Sequence, residues 1–257
     1  MTERTPIADG PIACEPDFQV IAESPDWIVV DKRAPLIVHT ANAKPEPTLL
    51  AGLEALLCYE LANGAALSLI NRLDRETSGL TLIAKHKEAA KALGIAMQER
   101  LMHKEYHAIV HGHPTWHECS CHEPILRQAE VRESAIWVKQ CTHPLGKPCH
   151  TDFRLVSSWS HADMPLSLIH CTPHTGRMHQ IRVHLSHLGH PIVGDKIYGS
   201  DERHYLEFIA HGWSKQLEKS LLLPRHALHA SALHFPWQGE NICTFAPLPP
   251  DMKSLMP

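Results

Sequence analysis

Three polar segments hold the residue types that can do chemistry. The first is Leu69-Ile70-Asn71-Arg72-Leu73-Asp74-Arg75-Glu76-Thr77-Ser78-Gly79-Leu80, a charged stretch between two apolar runs. Asp74 stands between Arg72 and Arg75, and a carboxylate held among guanidinium groups can attack as a nucleophile or exchange a proton. On spacing alone the segment reads more readily as a solvated turn, with Thr77-Ser78-Gly79 supplying turn chemistry. The second is Thr175-Gly176-Arg177-Met178-His179-Gln180-Ile181-Arg182-Val183-His184-Leu185. A helix over 177–188 puts Ile181, His184, Leu185 and Leu188 on one buried face and projects His179 and Arg182 together from another. A guanidinium fixed there can pair with a carboxylate or a phosphate; taken alone, it is an ordinary surface arginine, and His184 a packed histidine. The third is His103–Gly112, where strand alternation puts Lys104, Tyr106 and Ala108 on one face. Such a tyrosine is usually a core residue with a satisfied hydroxyl.

Metal chemistry has little support. Eight cysteines stand in a chain whose N-terminal residues lack the apolar core of an export signal, so free thiols are expected rather than disulfides. The densest group is Cys119, Cys121 and His122, followed by Cys141, His143, Cys149 and His150. Cys-x-Cys is one residue short of a zinc-binding pair and the later positions are irregular, so no metal site is expected. Nucleotide cofactors are not signalled either, since neither a GxxxxGK[ST] loop nor a GxGxxG turn occurs.

The elements that must position these segments are strands more often than helices. Trp27–Asp31, Leu36–His39, Leu80–Ala84, Tyr106–Val110, Ile136–Lys139, Asp152–Val156, Leu166–Cys171, Ala227–Phe235 and Asn241–Phe245 read as strands. Leu50, Leu53, Leu57 and Leu61 recur at helical spacing up to Asn63-Gly64, as do Ala90, Leu93, Met97 and Leu101 over 87–101, and Gly189 should stop the helix over 177–188. Prolines at 6, 11, 16 and 25 make residues 1–25 an extended lead-in. Strands following one another directly imply an α+β fold around a largely antiparallel mixed sheet flanked by helices, not a doubly wound parallel one.

Composition agrees with one catalytic-size domain. The 257 residues are 44% hydrophobic and 20% charged, which excludes a disordered or collagen-like chain, and no apolar run approaches a membrane span. The cytoplasm is the expected compartment. Net charge is −4, yet residues 1–60 hold 4 basic and 10 acidic groups, so the remainder nets +2, with 22 histidines in reserve. Charge alone makes no case for a nucleic-acid partner.

Taken together and in order, the three segments resemble the RluA-type RNA pseudouridine synthases: a His-Arg-Leu-Asp-Lys/Arg-Asp/Glu-Thr-Ser-Gly-Leu motif, then Lys-x-Tyr, then Gly-Arg-x-His-Gln-Ile-Arg-x-His. The likeness continues through Leu188–Asp195, Tyr198-Gly199, Leu228-His229-Ala230 and Ala246–Pro249, and upstream through Val29–Lys32 and Val38-His39, so it covers about residues 20–250. Asn71 replaces the family's usual histidine before Arg-Leu-Asp, and Met178 its usual threonine.

The resemblance implies a two-lobed catalytic domain over 20–250 with a central cleft, a lead-in over 1–20, and no separate RNA-binding domain in front. It implies an isomerase that turns a specific uridine of structured ribosomal or transfer RNA into pseudouridine without a cofactor; a monomer is the default expectation. Carried over by motif, Asp74 is the essential carboxylate, Arg182 its partner, and Tyr106 a group that stacks on the uracil or helps remove its last ring proton. Arg72 would fill the space left by a flipped uridine, with Arg75, Lys104, Arg177, His179 and Gln180 as further RNA contacts. Asp74 and Arg182, 108 positions apart, should then lie within about 4 Å of each other. Two other readings are a glycosidase or nuclease built on Asp74, for which only Glu76 offers a second nearby carboxylate, and a non-catalytic RNA-binding module, against which both Asp74 and Arg182 are retained.

Overall fold

Residues 18–39 and 47–257 are described by a computed structural model. Trp27–Lys32 and Ser78–Ala84 are strands buried on both faces, as the apolar run Trp27-Ile28-Val29-Val30 suits. In Trp27-Ile28-Val29-Val30, Ile28 and Val30 join one core layer while Trp27 and Val29 join the other. The elements are β1 (Phe18–Glu23), β2 (Trp27–Lys32), α1 (Leu49–Leu56), α2 (Cys58–Ala62), β3 (Ser68–Leu69), β4 (Ser78–Ala84), α3 (Lys87–Gln98), β5 (His103–His111), β6 (Glu118–Cys121), β7 (Ile125–Arg127), β8 (Gln140–Thr142), β9 (Thr151–His161), β10 (Met164–Pro173), α4 (Gln180–His187), α5 (Arg203–His211), α6 (Lys215–Leu221), β11 (Leu228–Trp237), β12 (Glu240–Phe245) and α7 (Pro250–Lys253). One ten-stranded sheet runs β1-β2-β4-β11-β5-β10-β9-β6, with β12 on β11 and β3 on β4; β7 and β8 pair separately.

The sheet is the largely antiparallel one expected, and it has a seam. β4 and β11 pair in parallel over two positions only, Ser78 with His229 and Gly79 with Ala230. Every other strand pairing among the described residues is antiparallel. The seam divides the sheet into two halves, each closed by its own antiparallel neighbours. Gly79 is required there: its φ is +112°, and a Cβ would lie 2.3 Å from the Ala230 carbonyl oxygen.

Several local expectations are corrected. Leu36–His39 is not a strand but a single bridge, Ile37 to Thr48, because the neighbouring carbonyl of Leu36 faces the buried Lys32 ammonium instead of a partner strand. Ile136–Lys139 is a turn that buries Ile136 against Ile125, Val183 and Tyr198; packing, not pairing, uses its apolar residues. Phe18–Glu23, assigned to the lead-in, is an edge strand on β2, with Phe18 in the core; residues 1–17 lie outside the described residues. The first leucine-spaced helix breaks at Leu57 into α1 and α2, and the helix over 177–188 begins only at Gln180. Gly189, at φ +83°, ends it as expected. No helix among the described residues is long and apolar enough to cross a membrane.

Candidate active site

The loop before β4 is fixed from every side. Asn71, at the position where a histidine was expected, spends both ends of its amide on β4: its Nδ2 donates to the Leu80 carbonyl at 3.1 Å, and its Oδ1 accepts from the Leu82 N–H at 2.7 Å. Thr77 shares a 2.7 Å hydrogen bond with His226, and Ser78 one of 2.9 Å with His229. Glu76 accepts from the Lys196 ammonium at 2.7 Å. Beneath the loop, Lys32 Nζ donates to the carbonyls of Leu36 (2.9 Å), Arg33 (3.2 Å) and Arg75 (3.2 Å). Burial, reinforced by the nearby Arg225 charge, pushes the Lys32 ammonium down to about 7. A polar loop held by six such bonds is a rigid mount, not a solvated turn.

Asp74 leaves that mount toward Arg182. Arg182 Nη1 donates to Asp74 Oδ2 at 3.0 Å, inside the separation anticipated from the sequence. The rest of the guanidinium is committed elsewhere: Nε and Nη2 donate to Asp195 at 2.7 and 2.9 Å. Asp195 also accepts from the N–H groups of Ile197 and Tyr198 at 3.0 and 3.1 Å, so its fully buried carboxylate is saturated. Burial by itself would raise Asp195, but the Arg182 charge and hydrogen bonds hold it well below the usual carboxylate range. Sequence reasoning missed Asp195. Its signal was Gly194-Asp195 at the end of a matched stretch, but nothing in the spacing ties position 195 to 182.

His179 is not helical. It caps α4 in the left-handed region, at φ 57° and ψ 18°, and its Nδ1 shares a 2.7 Å hydrogen bond with the Tyr198 hydroxyl. Its Nε2 lies 3.8 Å from Asp74 Oδ2. Burial, then the Arg182 charge, lowers its pKa to about 4, so near neutrality the imidazole is uncharged.

A cleft of about 540 Å³ opens beside Asp74, lined by Arg72, Lys104, Arg177 and His179, and narrows to a pocket of about 110 Å³ that reaches Tyr106, Thr77, Arg182 and Leu228. The pocket sits at the ends of β4, β5, β10 and β11, where the seam brings them together. Tyr106 is buried, and burial followed by the Asp74 charge raises its phenol, keeping it protonated. Burial lowers the Lys104 ammonium. Arg72 and Arg177 are exposed at the mouth.

Two sequence-derived contacts are placed differently. Arg75 lines a neighbouring cavity, with Lys196, Phe208 and Arg225, that shares Asp74, His179 and Arg182 with the site. Gln180 lines the narrow pocket with its amide fully engaged: Nε2 donates to the His150 carbonyl and Thr151 Oγ1, while Oε1 accepts from Thr175 Oγ1 and the Arg177 N–H. It braces the loop carrying Arg177 and has no group left over for a ligand. Among the described residues, the seven cysteines are free thiols, and the grouping with metal-ligand proximity is His150, Asp152 and His174, without a cysteine.

Residues 26–187 match the model of the family described as RNA pseudouridylate synthase. The chain belongs to that family. Its members are isomerases acting on RNA, and the RluA-type resemblance and α+β sheet read from the sequence both hold. The chain is 34% identical over 245 residues to the ribosomal large subunit pseudouridine synthase D of Salmonella typhimurium, covering 93% of this chain and 69% of that protein. It is 35% identical over 245 residues to that of Haemophilus ducreyi, covering 93% and 70%. Among solved structures, the human RNA pseudouridylate synthase domain containing 1 superposes with a TM-score of 0.71 at 26% identity, over 93% of this chain and 87% of that one. The human domain containing 4, at 24% identity, shares the fold with a TM-score of 0.70, over 91% and 90%.

Proposed function

We propose that this chain isomerises a specific uridine of large-subunit ribosomal RNA to pseudouridine, with Asp74 as the essential carboxylate. The reaction breaks the bond between the ribose C1′ and uracil N1, turns the base, and joins C1′ to C5; the C5 proton leaves and N1 gains one. Nothing is oxidised and no atom is added, so the chemistry needs a placed carboxylate, a pocket for the base and no cofactor. The observation carrying this reading is the Arg182–Asp74 contact at the foot of a cleft with basic residues at its mouth. The names of the curated relatives favour ribosomal over transfer RNA.

In this reading Arg182 aims Asp74 at the sugar–base link. Tyr106, held protonated, is poorly suited to take a proton and stacks on the uracil instead. Arg72, exposed beside the pocket, enters the space that a uridine vacates when it swings out of its helix, the general route to a base in a duplex. Lys104, Arg177 and His179 face the RNA backbone and base. Asp74, Tyr106 and Arg182 come from one chain, which supports a monomer as the working unit. Pseudouridine mapping of cellular RNA with and without the protein tests the whole reading. One site lost from large-subunit RNA is expected, and a site lost from transfer RNA alone would overturn the choice of substrate.

A further inference from the structure

Outside the catalytic residues, three histidines form an ordered stack that the family reaction does not require. They follow from strand register. Cys121, Thr151 and Pro173 stand in line across β6, β9 and β10. The next position outward on each strand is a histidine: His122, His150 and His174. Adjacent strands are about 4.8 Å apart, and the rings close that step face to face. His122 and His150 lie 4.0 Å apart at 18°, His150 and His174 4.2 Å apart at 14°.

The stack is anchored from one side. Asp152, two positions in from His150, accepts from Ser120 Oγ at 2.6 Å and meets His150 Nε2 at 2.7 Å and His174 Nε2 at 2.6 Å. The His174 N–H also donates to the His150 carbonyl at 3.0 Å. Half-exposed imidazoles usually sample several rotamers; His150 and His174 are held by Asp152, and the exposed His122 stacks on His150. The arrangement does not suit a metal ion. Parallel rings with their Nε2 atoms on different carboxylate oxygens would have to fan apart to aim at one ion about 2.1 Å from each nitrogen.

It suits an aromatic face. His174 is the end of the ladder nearest the cleft and lines it, with 41% of its side chain exposed. The next step across the sheet is β5, whose Lys104 and Tyr106 also line the site. Single-stranded RNA is bound by stacking unpaired bases on aromatic or histidine rings, beside cations that hold the backbone.

We infer that the His122–His150–His174 ladder is a stacking platform for an unpaired base adjoining the target uridine, the base lying on the outer face of His174 as a fourth rung. The inference rests on the RNA-modifying reading above. It assigns the ladder to holding RNA, not to the chemistry at C1′.

The test measures affinity of the full chain, in an Asp74→Asn background that prevents turnover, for end-labelled, deproteinised large-subunit ribosomal RNA. His174→Ala should weaken binding about tenfold, within the range known for losing one stacked base. His174→Phe should bind within about threefold of the parent, because it keeps a ring face and loses only the hydrogen bond to Asp152. The dependence of affinity on salt should not change in His174→Ala, because a stacked base releases no counterions. Unchanged binding by His174→Ala overturns the platform. So does a result in which His174→Lys holds affinity while His174→Phe falls as far as alanine, since the contact would then be ionic. Pseudouridine formation by the unsubstituted chain on the same RNA reports separately on the parent reading. No binding at all sinks both; binding that ignores His174 sinks only this one.

Discussion

Arg182 joins two carboxylates that have different jobs. One edge of its guanidinium grips the fully buried Asp195 through Nε and Nη2, and Nη1 extends to Asp74, which is 30% exposed. The buried pair fixes the fork, and the fork fixes the carboxylate that faces the cleft. This is a support chain from the protein interior to the proposed reacting group.

Asp74→Asn should abolish pseudouridine formation while leaving the fold and RNA binding nearly intact, since the amide keeps the shape and loses the charge. Tritium release from C5-labelled uridine in RNA measures it. Residual turnover above about a thousandth of the unsubstituted rate would count against an essential carboxylate.

Arg182→Ala should lower activity at least about a hundredfold, because a misaimed catalytic group costs that much. It should also destabilise the fold by about 3–5 kcal/mol, because Asp195 is left as an uncompensated buried charge. Arg182→Lys should rescue little of the activity, since an ammonium cannot hold both carboxylates at once. A change below about 0.5 kcal/mol with normal activity would show that neither carboxylate depends on Arg182.

Asp195→Asn separates support from chemistry. The amide can still accept from the Ile197 and Tyr198 N–H groups, but it loses the charge that orients Arg182. Turnover should fall at least about tenfold with KM for RNA little changed. A rise in KM alone would instead place Asp195 in binding.

Chelators should leave activity unchanged. Stoichiometric zinc in protein purified without a His tag, with loss of activity on its removal, would reverse this.

Thermal stability should decline as the pH is lowered from about 6.5 to 4. His107, His179 and His229 are held at about 4 chiefly by burial, against an ordinary value of 6.5. Between those values the unfolded chain binds more protons than the native one, so stability is fully present above 6.5 and is lost as the pH falls toward 4. Melting curves across that range check the sign. His229→Gln should make the decline shallower, and an unchanged slope would remove His229 from the account.

The sequence by itself determined the reaction class and most of the framework. Asp74, Tyr106 and Arg182 were named from short motifs because their local wording is specific. The main strands were legible because their short stretches are rich in β-branched and other apolar residues and are bounded by turn signals. What the tertiary structure decided lies where one local signal has two physical outlets. Ile136–Lys139 and Leu36–His39 have strand-like composition, yet one packs as a turn and the other makes a single bridge. Gln180 and Arg75 carry polar groups that a motif assigns to RNA. The fold spends the Gln180 amide on its own backbone and side chains, and turns Arg75 to another cavity. Asp195 and the histidine ladder were invisible for the same reason. Their meaning depends on contacts between positions 13 to 28 residues apart, and no local periodicity encodes which distant groups a folded sheet will bring together.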